Sequence, residues 1–121
     1  MDPLPCSHIV YRALLRRPGC IDPATNTLLP GAFLLRPPPA DADGLSVDID
    51  SPATCVSGFK KTYGVASLHV GRVRNLGLDV KPDEGTHACI VGLPNSQDDP
   101  ANAERLAVEL AKIARYIANP A

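Results

Sequence analysis

Residues Pro100 to Ile117 carry Ala103, Leu106, Ala107, Leu110, Ile113, Ala114 and Ile117 at helical spacing, with Glu104, Arg105, Glu109, Lys112 and Arg115 on the opposite side. A helix with a single apolar stripe must bury that stripe on another element. The rest of the chain offers short segments that alternate with a period of two, so the partner surface is a sheet. The predicted fold is α+β: a small mixed or mostly antiparallel sheet, a short middle helix, and the long C-terminal amphipathic helix packed on one face. Asp98 or Asp99 supplies the N-cap of that helix, Pro100 occupies its first turn and Asn119-Pro120 ends it.

The clearest half-buried strand is LSVDID, in which Leu45, Val47 and Ile49 alternate with Ser46, Asp48 and Asp50. Strands are also predicted over His8 to Leu15, where a short helix ending at Arg17 competes, and over Ala32 to Arg36, Val65 to Val73, Leu76 to Val80 and His87 to Leu93. Ser51-Pro52 is a helix start, with a hydroxyl cap followed by a proline whose missing N–H costs nothing at the first helical position. That helix is expected to run through Cys55, Val56 and Phe59 and to stop by Gly64. Cys20 to Pro30, Pro37 to Pro39 and Pro82 to Thr86 read as loops and turns. With 121 residues and no repeat, the chain is expected to be a single domain over 1–121. Prolines concentrate before residue 53, so 1–52 is expected to be the more irregular part.

Apolar residues form 45% of the chain, aromatics 4% and charged residues 21%, which is the balance of a globular protein with an aliphatic core. A formal net charge of −1 and dispersed Lys and Arg argue against nucleic acid, and bases would find few aromatic platforms. No apolar run approaches the ~20 residues a membrane helix needs. The first residues, MDPLPCSHIVYR, lack the basic start of a secretory signal, so a cytoplasmic location is expected. Reduced thiols are then expected for Cys6, Cys20, Cys55 and Cys89, and the absence of CxxC removes thioredoxin-type and zinc-ribbon motifs.

His87 and Cys89 are two apart on a predicted strand and so point to the same side, where His69 from another strand could join them. Three such groups suit zinc with an open fourth position, although their spacing matches no established zinc motif. Cys89 with His69 or His87 is also the thiol and base pair for nucleophilic chemistry, yet Ala88 and Ile90 around it favour an inert buried thiol. The helix start at Pro100 is a poor phosphate site, because Asp98 and Asp99 already occupy the positive end of the dipole. Asp41, Asp43, Asp48 and Asp50 lack a calcium-loop register and read as a solvated acidic rim.

The stretches VYRALL, AFLLRP and GLSVDI, an arginine on an early strand followed by a serine on a later one, faintly resemble the NAD-binding half of ADP-ribosyltransferase-like toxins of the RES class. That resemblance implies that Arg12 holds a cofactor phosphate and that Ser46 lies near the nicotinamide ribose. It covers about forty residues and lacks the glycine-rich turn and the later catalytic glutamate. The segments VASLHVGRVRNLGLDV and THACIVGLP are similar to small uncharacterised bacterial proteins, a likeness that implies no activity.

The chain is therefore expected to act by binding, to another protein or to itself, with no cofactor and no membrane or nucleic-acid partner. The alternative is an enzyme of transferase-like or metal-dependent type, using Arg12 and Ser46 or His69, His87 and Cys89.

Overall fold

The computed structural model describes residues 3–16, 19–36, 41, 43–57, 59 and 61–118. Eight strands and three α-helices follow in the order β1 (Ile9–Leu15), β2 (Ile21–Asp22), β3 (Thr27–Leu28), β4 (Leu45–Asp48), α1 (Pro52–Val56), β5 (Thr62–His69), α2 (Val70–Asn75), β6 (Asp79–Pro82), β7 (His87–Val91), α3 (Pro100–Ile113) and β8 (Arg115–Ala118). A 3-10 turn at Pro30–Phe33 separates β3 from β4. Six strands form one antiparallel sheet in the order β6-β7-β4-β1-β5-β8, and β2 and β3 make a small hairpin beside it. The chain is α+β as predicted. Among the described residues, no helix is long and apolar enough to cross a membrane.

The period of two sorts the side chains onto two unequal faces. Val10 and Leu14 of β1, Leu45 and Val47 of β4, Ala66 and Leu68 of β5, Val80 of β6, and Ala88 and Ile90 of β7 point to one side. Phe33, Val70, Val73, Leu106, Ala107 and Leu110 close over them. α3 starts as its sequence predicts, with the Asp99 carboxylate accepting from the Asn102 N–H at 3.2 Å. The opposite face shows Tyr11, Ala13, Ser46, Asp48, Ser67, His69, His87 and Cys89, and α1 lies across part of it, with the Cys55 thiol 3.4 Å from the Tyr11 carbonyl. Ser51 caps α1 as expected, its hydroxyl accepting from the Thr54 N–H.

Several boundaries differ from the sequence expectation for identifiable reasons. Ala32 to Arg36 is not a strand: Pro30 fixes φ, Ala32 bonds back to the Leu29 carbonyl, and a Cβ on Gly31 would collide with the Gly19 carbonyl, so the chain turns tightly there. The strand expected over Val65 to Val73 stops at His69, because Val70 and Val73 reach the core at helical rather than alternate spacing in α2. Gly77, at φ +85, ends that helix and delays β6 to Asp79. α1 ends at Val56, and Gly64, expected as its stop, lies instead inside β5 at φ +133, where any Cβ would strike the Ile117 carbonyl. α3 stops at Ile113, and Ala114 turns into β8, which pairs Ile117 with Val65 and lets the Tyr116 hydroxyl donate to the Tyr63 carbonyl at 2.6 Å. Pro37 to Pro39 and Asn119-Pro120 lie outside the described residues.

The six strands are two triplets, β6-β7-β4 and β1-β5-β8, joined at a sparse seam. β1 and β5 share a register from Ile9↔His69 to Leu15↔Thr62, whereas β1 meets β4 at the single pair Tyr11↔Asp48. Side chains close the rest of the seam. Below the pair, the His8 Nε2–H donates to the Ile49 carbonyl at 2.7 Å. Above it, Arg12 donates from Nη1 to the Ser46 carbonyl at 2.8 Å and from Nε to the Ala32 carbonyl at 2.6 Å. The guanidinium thus substitutes for absent ladder bonds and ties the 3-10 turn to both triplets. Arg12→Met, which keeps the stem but removes both donors, is expected to lower stability by about 2–4 kcal/mol in urea unfolding, since two carbonyls lose their partners. A loss within experimental scatter of zero would remove the strut role.

Candidate functional site

The sequence candidates separate into three places, two on the α1 side of the sheet and one at the seam, which Arg12 enters from the helical side. The first is the β6–β7 hairpin. Its turn closes through the Asp83 N–H to the His87 carbonyl at 3.1 Å and the His87 N–H to the Glu84 carbonyl at 2.9 Å, which folds Asp83 back over the start of β7. Both Asp83 carboxylate oxygens then lie 2.7 Å from His87 Nδ1, and Cys89 Sγ is 3.9 Å from Oδ2. Asp83 and His87 are exposed and Cys89 is buried. The hydrogen bond with His87 holds the Asp83 carboxyl below the usual carboxylate range. Burial, followed by the Asp83 charge, pushes the Cys89 thiol up. The Thr86 hydroxyl donates to the Asp48 carboxylate at 2.9 Å, and its carbonyl accepts from Ile49, so the turn is anchored to the end of β4.

The second place is a cleft of about 200 Å³ over the seam, lined by Arg12, Arg36, Ser46, Asp48, Cys55 and His87 among others. Arg12 and Ser46 do meet here, but through the Ser46 carbonyl, and the Arg12 Nε and Nη1 donors are directed into main chain. Two acids expected on a solvated rim are built into the fold instead. Asp48 is 9% exposed and accepts from the Asp50 and Ser51 N–H groups as well as from Thr86. Asp41 is 7% exposed and accepts from the Arg36 N–H at 2.6 Å and from its guanidinium. Burial alone would push the Asp41 carboxyl up, but the Arg36 side chain and backbone and the charge of Arg12 together hold it below the ordinary range. Burial, and then the Asp48 carboxylate, push the Cys55 thiol up to about 12.

The third place is an open trough of about 570 Å³ over β1, β5 and β8, lined by Ile9, Tyr11, Ser67, His69, Arg72, Arg115 and Ile117 among others. His69 belongs here, and its Nδ1 is buried with no hydrogen-bond partner among the described residues. The strand order puts β4 and β1 between His69 and His87, a separation of roughly 14 Å at the usual inter-strand spacing. His69 therefore joins neither His87 nor Cys89. Asp83 and Arg36, which the sequence reading passed over, stand in the places where ligating and charged groups converge. The signal for Asp83 lay in the turn PDEGT, since a tight hairpin brings residue 83 against residue 87.

Set against protein-family models, curated proteins and solved structures, the chain matches none of them. Two outcomes follow from the site geometry. Because the Asp41 carboxyl is held below its unfolded value of about 3.9, its contribution to stability is complete above that pH and is lost as pH falls through the folded value. Asp41→Asn should therefore flatten the acid limb of a stability profile measured from pH 7 downwards, and an unchanged limb would contradict the pairing. None of the four cysteines is in a disulfide. A limiting amount of iodoacetamide at neutral pH should label exposed Cys6 well before Cys55, whose thiol stays protonated, and peptide mapping that found Cys55 modified first would overturn its assigned environment.

Proposed function

We propose that the chain is a protein-binding module that pairs with a second copy of itself across the open sheet face. The observation that carries this reading is where apolar surface remains in water. Ile9 and Ile117 are each 36% exposed and Phe59 48%, and all three lie on the α1 side: Ile9 and Ile117 in the trough, Phe59 at the seam cleft. The helical side of the sheet leaves no comparable group exposed among the described residues.

Charge favours a second copy as the occupant. One end of the face carries His69, Arg72 and Arg115, and the other carries Asp50, Asp83 and Glu84 against Lys81. A row of directly paired residues runs between them, His87, Asp48, Tyr11, Ser67 and Arg115. Two such faces related by a two-fold axis set the basic end of each against the acidic end of the other, with Tyr11, Ile9 and Ile117 between them.

The test is sedimentation of the full chain at about 100 µM, where a weak homodimer interface would be populated. The mass should be twice that of the monomer and should return to the monomer value in Ile117→Glu and in Arg115→Glu, with the second variant's effect fading at high salt. A monomer at that concentration, or variants that stay dimeric, would end this reading.

A further inference from the structure

We propose that Asp83, His87 and Cys89 form a zinc site with three protein ligands. One ligand atom from each, a carboxylate oxygen, Nδ1 and Sγ, all lie within 4.8 Å of one another. A tetrahedral ion that sits about 2.0–2.3 Å from N, O and S donors spaces those donors roughly 3.3–3.8 Å apart. Asp83 and Cys89, at 3.9 Å, are within about 0.1 Å of the upper end of that spacing, and His87 and Cys89, within 4.8 Å, need to close by no more than about 1.5 Å. Asp83 and His87, at 2.7 Å, need to part by less than about 1 Å, and the ion would take the place of the proton they now share.

The donor set selects the metal class. A thiolate, an imidazole and a single carboxylate suit a borderline ion such as zinc, whereas magnesium and calcium call for several oxygens. On binding, Cys89 gives its thiol proton to solvent and the metal holds the thiolate. The three ligands come from one hairpin whose turn is closed by two main-chain hydrogen bonds and anchored to β4 through Thr86, so little chain has to be ordered when the ion enters. Exposed Asp83 and His87 leave an approach from solvent, and the fourth position faces that side, the arrangement that admits a water or an incoming donor. Neither His69, across the sheet, nor His8, engaged with the Ile49 carbonyl, reaches this cluster.

The experiment titrates the chelator-treated, reduced full-length chain with zinc by calorimetry and with cobalt by absorption. We expect one zinc per chain, and for cobalt a tetrahedral ligand-field spectrum with a thiolate charge-transfer band. Cys89→Ser should abolish that band. Asp83→Asn and His87→Ala, both at exposed positions that leave the core untouched, should each weaken zinc by at least about tenfold while circular dichroism is unchanged. Cys6→Ser and His69→Ala should bind like the parent. A parent chain that binds no zinc, a cobalt spectrum without the thiolate band, or affinity that follows Cys6 or His69 rather than Asp83 and His87 would overturn the assignment.

Discussion

The unity of the six-stranded sheet rests on one residue pair and on side-chain donors at the seam, the Arg12 guanidinium foremost. β1 and β4 are neighbours in the order but share one residue pair, and beyond it the strands part. Arg12 fills the gap: it gives the Ser46 carbonyl of β4 a donor across the seam and holds the Ala32 carbonyl of the 3-10 turn against it. A buried carbonyl without a partner is more damaging than a missing contact, because it loses water and gains nothing. The cleft over the seam follows from the same parting, and at its side Asp48 accepts from the Asp50 and Ser51 N–H groups where the chain turns into α1. The groups that looked like reagents at this place are substantially construction.

The readable parts of the fold were those where one period dominated. HIVYRALL became β1 within a residue, and LSVDID became β4 two residues short of its end, its alternation predicting that Leu45 and Val47 meet the core. α3 began where Asp99 and Pro100 place it. Its end was illegible because Ile113, Ala114 and Ile117 satisfy a helical stripe and a strand pair equally well. What separated the two was the outer edge of β5, a distant stretch of main chain that needed partners. The same competition hid α2, where Val70 and Val73 alternate plausibly with their neighbours yet are spaced for a helix.

For the candidate sites, parity along a strand was legible and strand order was not. His87 and Cys89 share a side, as two residues on a strand must. Whether His69 stands beside them depends on the sheet sequence β7-β4-β1-β5, which no local pattern encodes. Asp83 was hidden for a different reason: β6 runs on to Pro82, two residues past the strand expected over Leu76 to Val80, so the reversal is tighter than PDEGT implies and lays Asp83 against His87.

The two triplets are interleaved along the chain. One is built from the first, fifth and eighth strands, the other from the fourth, sixth and seventh, so neither is a contiguous piece of sequence. During synthesis the N-terminal strand emerges long before its neighbours, and the triplet it belongs to is complete only when residues 115–118 arrive to cover the far side of β5. The β6-β7-β4 triplet has all its strands once residue 91 has emerged, but the sheet as a whole still waits for β8. It closes late and as a unit, through contacts of large sequence separation, which favours slow formation and strong cooperativity.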